Sequence, residues 1–301
     1  MSARSWLYAR IALTVLAFAA LFHFVPLADL LHAAARIAPA AWAGCFALAL
    51  TAQLFSVARF QLLLSAYGAE QLPPWRESLR LFLVSSFYNT YVPGGVAGDV
   101  VRALVVRKCF PRGGLTSALA VSLVERVTGL AGMLVLVATV SAFSPLIEGL
   151  LPFSLLGLLA AITAIAAVIV ARRLAPHLPG RLRDIATSLP SLEHPVRYAL
   201  ALAAALVTHV ISALGYHVII HSLSARANVA ESLVIVPIAT SAQYIPATIA
   251  GAGTRDAAFV FLYERVGVEP AHALAMSLAV LLCSFVIAAL GGIATLLGPY
   301  E

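Results

Sequence analysis

Charged side chains set inside apolar stretches are where this sequence can do chemistry. Glu125 and Arg126 stand side by side, 11–12 residues past Gly114, and are the only charges between Leu115 and Phe143. That offset is about 16–18 Å of helix, beyond snorkelling reach. Neighbouring helical residues point about 100° apart, so the two do not pair with each other. Each needs a partner elsewhere, and Arg102, Arg255, Asp99 and Asp256 are the candidates. Ionisable groups are expensive in hydrocarbon and mark either transport pathways or structural ion networks. Arg59, six residues after Gln53, either joins such a network or snorkels from a helix end. Arg102, Arg126 and Arg255 are candidate headgroup ligands, because a guanidinium fork matches phosphate. Asp99, Glu125 and Asp256 are the candidate proton carriers.

Two glycine- and proline-interrupted segments carry much of this set. One holds Pro93, Gly94, Gly95 and Gly98; the other holds Pro246, Gly251 and Gly253. Glycines there free the backbone to turn and admit a ligand closely. The helix starts beyond such breaks present unpaired N–H groups, which suit an anion. Asn89, Thr90, Tyr91, Gln243 and Tyr244 flank the breaks and are candidate cavity-lining residues. His209, His217 and His221 share a stripe, but without an H-E-x-x-H motif they read as packed or cavity-facing rather than as metal ligands. Cys45, Cys109 and Cys283 form no C-x-x-C pair and read as apolar fillers. With no Walker loop and no Ser-His-Asp grouping, the sequence leads us to expect neither catalysis nor a cofactor nor a metal.

The elements that must position these groups follow from composition. Of 301 residues, 62% are hydrophobic and 11% charged, against about 45–50% and about 25% in soluble domains. That excludes a water-soluble enzyme, a disordered chain and a nucleic-acid-binding domain. Apolar stretches long enough to span a bilayer cover residues 6–25, 40–64, 115–143, 153–171, 197–221 and 271–297. Residues 77–91 and 231–245 are shorter, each ending at a break and followed by a short return helix. The expected fold is an all-α polytopic membrane protein of six spanning helices and two re-entrant broken-helix hairpins.

The two broken segments resemble one another. Tyr91, Pro93, Ala97, Gly98 and Arg102 fall on Tyr244, Pro246, Ala250, Gly251 and Arg255 at one offset of 153. This reads as an internal repeat, with repeat one over about 40–143 and repeat two over about 197–297 of a single membrane domain, 1–301. The helices over 6–25 and 153–171 and a basic loop over 172–196 stand outside the repeats. The net charge of +6 sets orientation. With both hairpins re-entrant and the N-terminus inside, most basic residues, Arg102 included, fall on the cytoplasmic face, while Arg255 and Arg265 fall outside. The repeats are then inverted, an architecture of alternating-access transport, and both termini are cytoplasmic.

The motifs Asn89-x-x-x-Pro93-Gly94-Gly95-x-x-Gly98-Asp99-x-x-Arg102, Val124-Glu125-Arg126-x-x-Gly129 and Gly251-x-Gly253-x-Arg255-Asp256 resemble the lysylphosphatidylglycerol synthase transmembrane (flippase-like) family. One departure is Asp256, where the family usually carries Glu. In bifunctional synthases of that family an aminoacyl-transferase domain follows the membrane domain. Here the sequence ends at Glu301, four residues past the last span, so a stand-alone membrane domain without synthase activity is expected. The resemblance implies a lipid flippase-like protein of the bacterial inner membrane, with relatives linked to polyprenyl-phosphate and hopanoid lipids. The leading expectation is translocation of a phosphate-bearing lipid whose headgroup sits between the hairpins. The alternatives are an intramembrane transferase acting on a lipid phosphate and an accessory subunit of a lipid-synthesis complex. Membrane lipids and lipid-synthesis enzymes are the expected partners, with no nucleic acid.

Overall fold

The computed structural model describes residues 25–91, 97–111, 114–143, 191–224, 226–242 and 253–297, together with 22, 23 and scattered positions between 152 and 187. Every regular element among the described residues is helical. In chain order these are α1 (Leu27–Ala35), α2 (Pro39–Ala66), α3 (Trp75–Tyr91), α4 (Ala97–Val106), α5 (Gly114–Phe143), α6 (Pro195–Leu223), α7 (Val229–Ser241), α8 (Thr254–Glu264) and α9 (Pro270–Ala294). Helices α2, α5, α6 and α9 are long and apolar enough to cross a membrane, and they coincide with four of the expected spans. The expected span over 6–25 lies almost entirely outside the described residues, and those over 153–171 and the loop over 172–196 lie partly outside. Pro93, Gly94, Gly95, Tyr244, Pro246 and Gly251 also fall outside them.

Local chemistry explains where the helices begin. Pro39, Pro195 and Pro270 each occupy the first helical position, where a missing N–H is no loss and the fixed φ already suits the helix. Helix α7 opens with a capping box, Asn228 Oδ1 accepting from Glu231 N–H and Glu231 accepting from Asn228 N–H, both at 2.9 Å. Helix α8 starts from Gly253 at φ +88°, a left-handed turn that glycine tolerates without strain.

Packing then fixes the layout. Helices α2 and α6 run antiparallel. The backbone N–H groups of Glu193 and His194, just before α6, donate to Ala66 O at the end of α2, at 2.8 and 3.1 Å. Near the other end, a Cβ on Gly44 would lie 3.4 Å from Val218. The α3–α4 pair closes at its base, where Glu70 N–H donates to Cys109 O at 3.0 Å. The α7–α8 pair closes likewise, with Tyr263 Oη donating to Ser232 Oγ at 3.1 Å and Arg226 against Gly267. One base follows the end of α2 and the other follows the end of α6, so the two bases sit at opposite ends of that pair, about 40 Å apart. The pairs also cross over: α3 packs on α9, and α7 on α5. Leu54, Phe55, Leu123, Leu282 and Val286 remain exposed, a surface suited to hydrocarbon rather than water.

Candidate functional site

Five of the singled-out charges meet in one buried cluster. Asp99 and Arg102 come from α4, Glu125 and Arg126 from α5, and Arg59 from α2. Arg102 Nη2 lies 2.6 Å from Asp99 Oδ1, and its Nη1 lies 2.8 Å from Glu125 Oε2. Arg59 Nη2 donates to Glu125 Oε1 at 3.0 Å, and Arg126 pairs with Asp99. Glu125 is only 3% exposed in its side chain, whereas Arg126 is 35% exposed. The guanidinium of Arg102 lies 4.6 Å from the Phe82 ring centre and 5.2 Å from that of Phe60, a cation–π contact with each of two rings that meet edge to face. Charge patterning put Arg102 at the inner face and Arg255 at the outer. Both side chains are instead buried: Arg102 turns in against Glu125 of the spanning helix α5, whereas Arg255 pairs with Asp256 on its own return helix. Glu125 and Arg126 do find separate partners on the hairpin, as their divergence around the helix requires.

The second hairpin solves its charge problem locally. Arg255 Nη2 donates to its neighbour Asp256 at 2.9 Å. Asp256 also accepts from Ser277 Oγ at 2.5 Å and from Gly253 N–H at 2.8 Å. A fully buried carboxylate with three donors is well stabilised.

Between the two hairpins lies a cavity of about 410 Å³. Helix α2 lines it with Gln53 and Ser56, α3 with Ser86, Asn89 and Thr90, and α6 with Thr208, His209, Ser212 and Tyr216. Thr240 of α7, Arg255 of α8 and Ser284 of α9 complete the polar lining. Gln53 Nε2 donates to Ser86 Oγ at 3.0 Å across the α2–α3 seam. His209 Nε2 lies 2.9 Å from Gly129 O. Gly129 also faces the Arg59 guanidinium, so one turn of α5 separates cavity from charge cluster. Asn89 accepts from Gly98 N–H at 2.8 Å, which ties the start of α4 to the cavity wall.

Of the predicted site residues, Asn89 and Arg255 line this cavity, while Arg102, Arg126, Asp99 and Glu125 form the neighbouring cluster. Tyr91 belongs to neither: its hydroxyl donates to Phe285 O at 3.2 Å and its ring stacks on Phe285. His217 packs against His221 at 5.4 Å and contacts Ser232 Oγ at 2.9 Å. Among the described residues no three His, Cys, Asp or Glu side chains group as metal ligands. Sequence reasoning named Asn89 and Thr90 for the cavity wall but missed its other hydroxyls. Their signal was periodicity: Thr208, Ser212 and Tyr216 recur every four residues, and Ser86, Asn89 and Thr90 fall on one helical face.

A model of the family described as the lysylphosphatidylglycerol synthase TM region matches residues 7–292. No curated protein matches the chain.

Proposed function

The chain belongs to the lysylphosphatidylglycerol synthase transmembrane-region family, a family tied to membrane lipids, and from that premise we propose that it is a lipid translocase. It moves a phosphate-bearing headgroup between leaflets by alternating access, with the acyl or polyprenyl tails left in the bilayer. The observation that carries the reading is the polar cavity walled by both hairpins inside an otherwise apolar helix bundle. The closed bases of the hairpins and the antiparallel α2–α6 pair support two re-entrant hairpins in an inverted repeat. Arg255 is the headgroup ligand in the cavity. Arg126, the most exposed member of the charge cluster, receives anionic lipid at its edge. The protein sits in the bacterial inner membrane with both termini in the cytoplasm, alongside lipid-synthesis enzymes, and the lipid gradient or membrane potential drives it. Of Asp99, Glu125 and Asp256, Glu125 is the proton carrier this reading favours, because of the three it is the one set on a spanning helix while paired with a hairpin arginine.

Reconstitution into liposomes with a tail-labelled phospholipid tests this. Protein-dependent transfer is expected. Arg255→Lys keeps a cation for Asp256 but loses the fork, and should slow transfer about tenfold, the worth of one charge-assisted hydrogen bond. Unchanged transfer by both Arg255→Lys and Arg255→Ala would sink the assignment.

A further inference from the structure

The cavity's hydrogen-bonding inventory specifies what kind of headgroup it takes. Four of its hydroxyls are already committed as donors to their own helices. Ser56 Oγ donates to Ala52 O at 3.0 Å, Thr208 Oγ1 to Ala204 O at 2.8 Å, Thr240 Oγ1 to Val236 O at 2.8 Å and Ser284 Oγ to Val280 O at 2.9 Å. A hydroxyl has one proton but two lone pairs. Once the proton is spent on the backbone, what it offers the cavity is an acceptor. These four groups come from α2, α6, α7 and α9, so acceptors stand on several sides of the space.

Donors cluster elsewhere. Arg255 is buried at 4% exposure, and its Nε has no hydrogen-bond partner. Its pairing with Asp256 occupies only Nη2 among its donor nitrogens. Asn89 commits its carbonyl to Gly98 N–H, which leaves the amide NH2 as its offer. Among the described residues no carboxylate lines the cavity; Asp256, the partner of Arg255, is fully buried.

From this division we infer that the cavity binds a phosphate ester bearing free hydroxyls, and disfavours an amine-bearing headgroup. The phosphate is a pure acceptor and matches Arg255 and Asn89. Hydroxyl protons match the acceptor wall of Ser56, Thr208, Thr240 and Ser284. A bare phosphate leaves that wall unsatisfied. An ammonium would find acceptors but no counter-charge, and it would face Arg255 in a confined space. The inference rests on the translocase reading only for the source of the ligand, a lipid rather than a soluble ester.

The test measures binding first. Purified protein in detergent is titrated with phosphatidylglycerol, phosphatidic acid, phosphatidylethanolamine and tail-free glycerol phosphate, read by thermal shift and by mass spectrometry of bound lipid. Phosphatidylglycerol should bind about tenfold tighter than phosphatidic acid or phosphatidylethanolamine, the effect of one or two added neutral hydrogen bonds. The Thr240→Val, Ser284→Ala double variant should erase the preference over phosphatidic acid while still binding phosphatidic acid, which also shows that it folds. Equal binding of the ethanolamine lipid, no binding of any probe, or a preference that survives the double variant overturns the inference. Liposome transfer separates the two readings. Selective binding without transfer overturns the translocase and keeps the headgroup chemistry, as does glycerol phosphate binding as tightly as the lipid. Transfer of all three lipids at equal rates does the reverse.

Discussion

At the scale of single residues, Glu125 is the most exposed to a decisive experiment. It touches Arg102 at 2.8 Å and Arg59 at 3.0 Å, while Arg255 is committed to Asp256 on the other hairpin. Glu125→Gln should therefore destabilise the protein by about 3–5 kcal/mol, because buried Arg59 loses its carboxylate partner and Arg102 is left with Asp99 alone. A double-mutant cycle with Arg102→Ala should show coupling of about 0.5–3 kcal/mol, and one with Arg255→Ala should be additive within about 0.5 kcal/mol. Stability in detergent reads both cycles, and coupling to Arg255 alone would contradict the observed pairing. That Glu125 needs a hairpin arginine was legible from its depth in an apolar stretch. Which arginine was not, because sequence spacing says nothing about how a return helix is rotated. Arg59 illustrates the same limit: six residues past Gln53 it looked equally able to snorkel, and only the approach of α2 to α5 commits it.

At the scale of elements, the first hairpin is set by a contact that admits no side chain. A Cβ on Gly98 would lie 2.1 Å from Ser85 O, so α4 and α3 touch backbone to backbone. Gly98→Ala must push the arms apart, and a loss of about 1–3 kcal/mol is expected. Adding Ser85→Ala will not restore it, since the obstacle is a carbonyl. Gly129→Ala is the comparison, its new methyl sitting 3.5 Å from Arg59 Nη1 in ordinary contact. It should leave the melting temperature nearly unchanged, and an equal loss in both variants would refute the steric account. The helices themselves were largely readable, because Pro39, Pro195 and Pro270 punctuate their starts and an apolar run of that length allows little else. The cavity was less so. Serine and threonine are tolerated singly in any apolar helix, so Ser56, Thr240 and Ser284 drew no notice until three-dimensional convergence gave them a common target.

At the scale of the whole molecule, the opposite placement of the hairpin bases makes a topological prediction. In a protein with its native cysteines replaced, a single cysteine at position 107 should react with an impermeant reagent from the cytoplasmic side. One at position 265 should react only from the other side. Labelling of both from one side would overturn the inverted arrangement and with it the proposed alternating-access mechanism.

Gly129 carries a last consequence for that whole. Its carbonyl meets His209 at the cavity wall, and its Cα faces Arg59, one turn along from Glu125. Coulomb attraction scales inversely with the local dielectric constant, so the wall shared at Gly129 acts like the plate of a capacitor. A cavity full of water screens the Arg59–Glu125 pair; under the proposed function, a lipid headgroup that fills the cavity would expel that water and sharpen the same field. In the proposed translocase, loading on one side of the wall would thereby stiffen the first hairpin on the other, and emptying would loosen it, without any atom in the cavity touching Arg59 or Glu125.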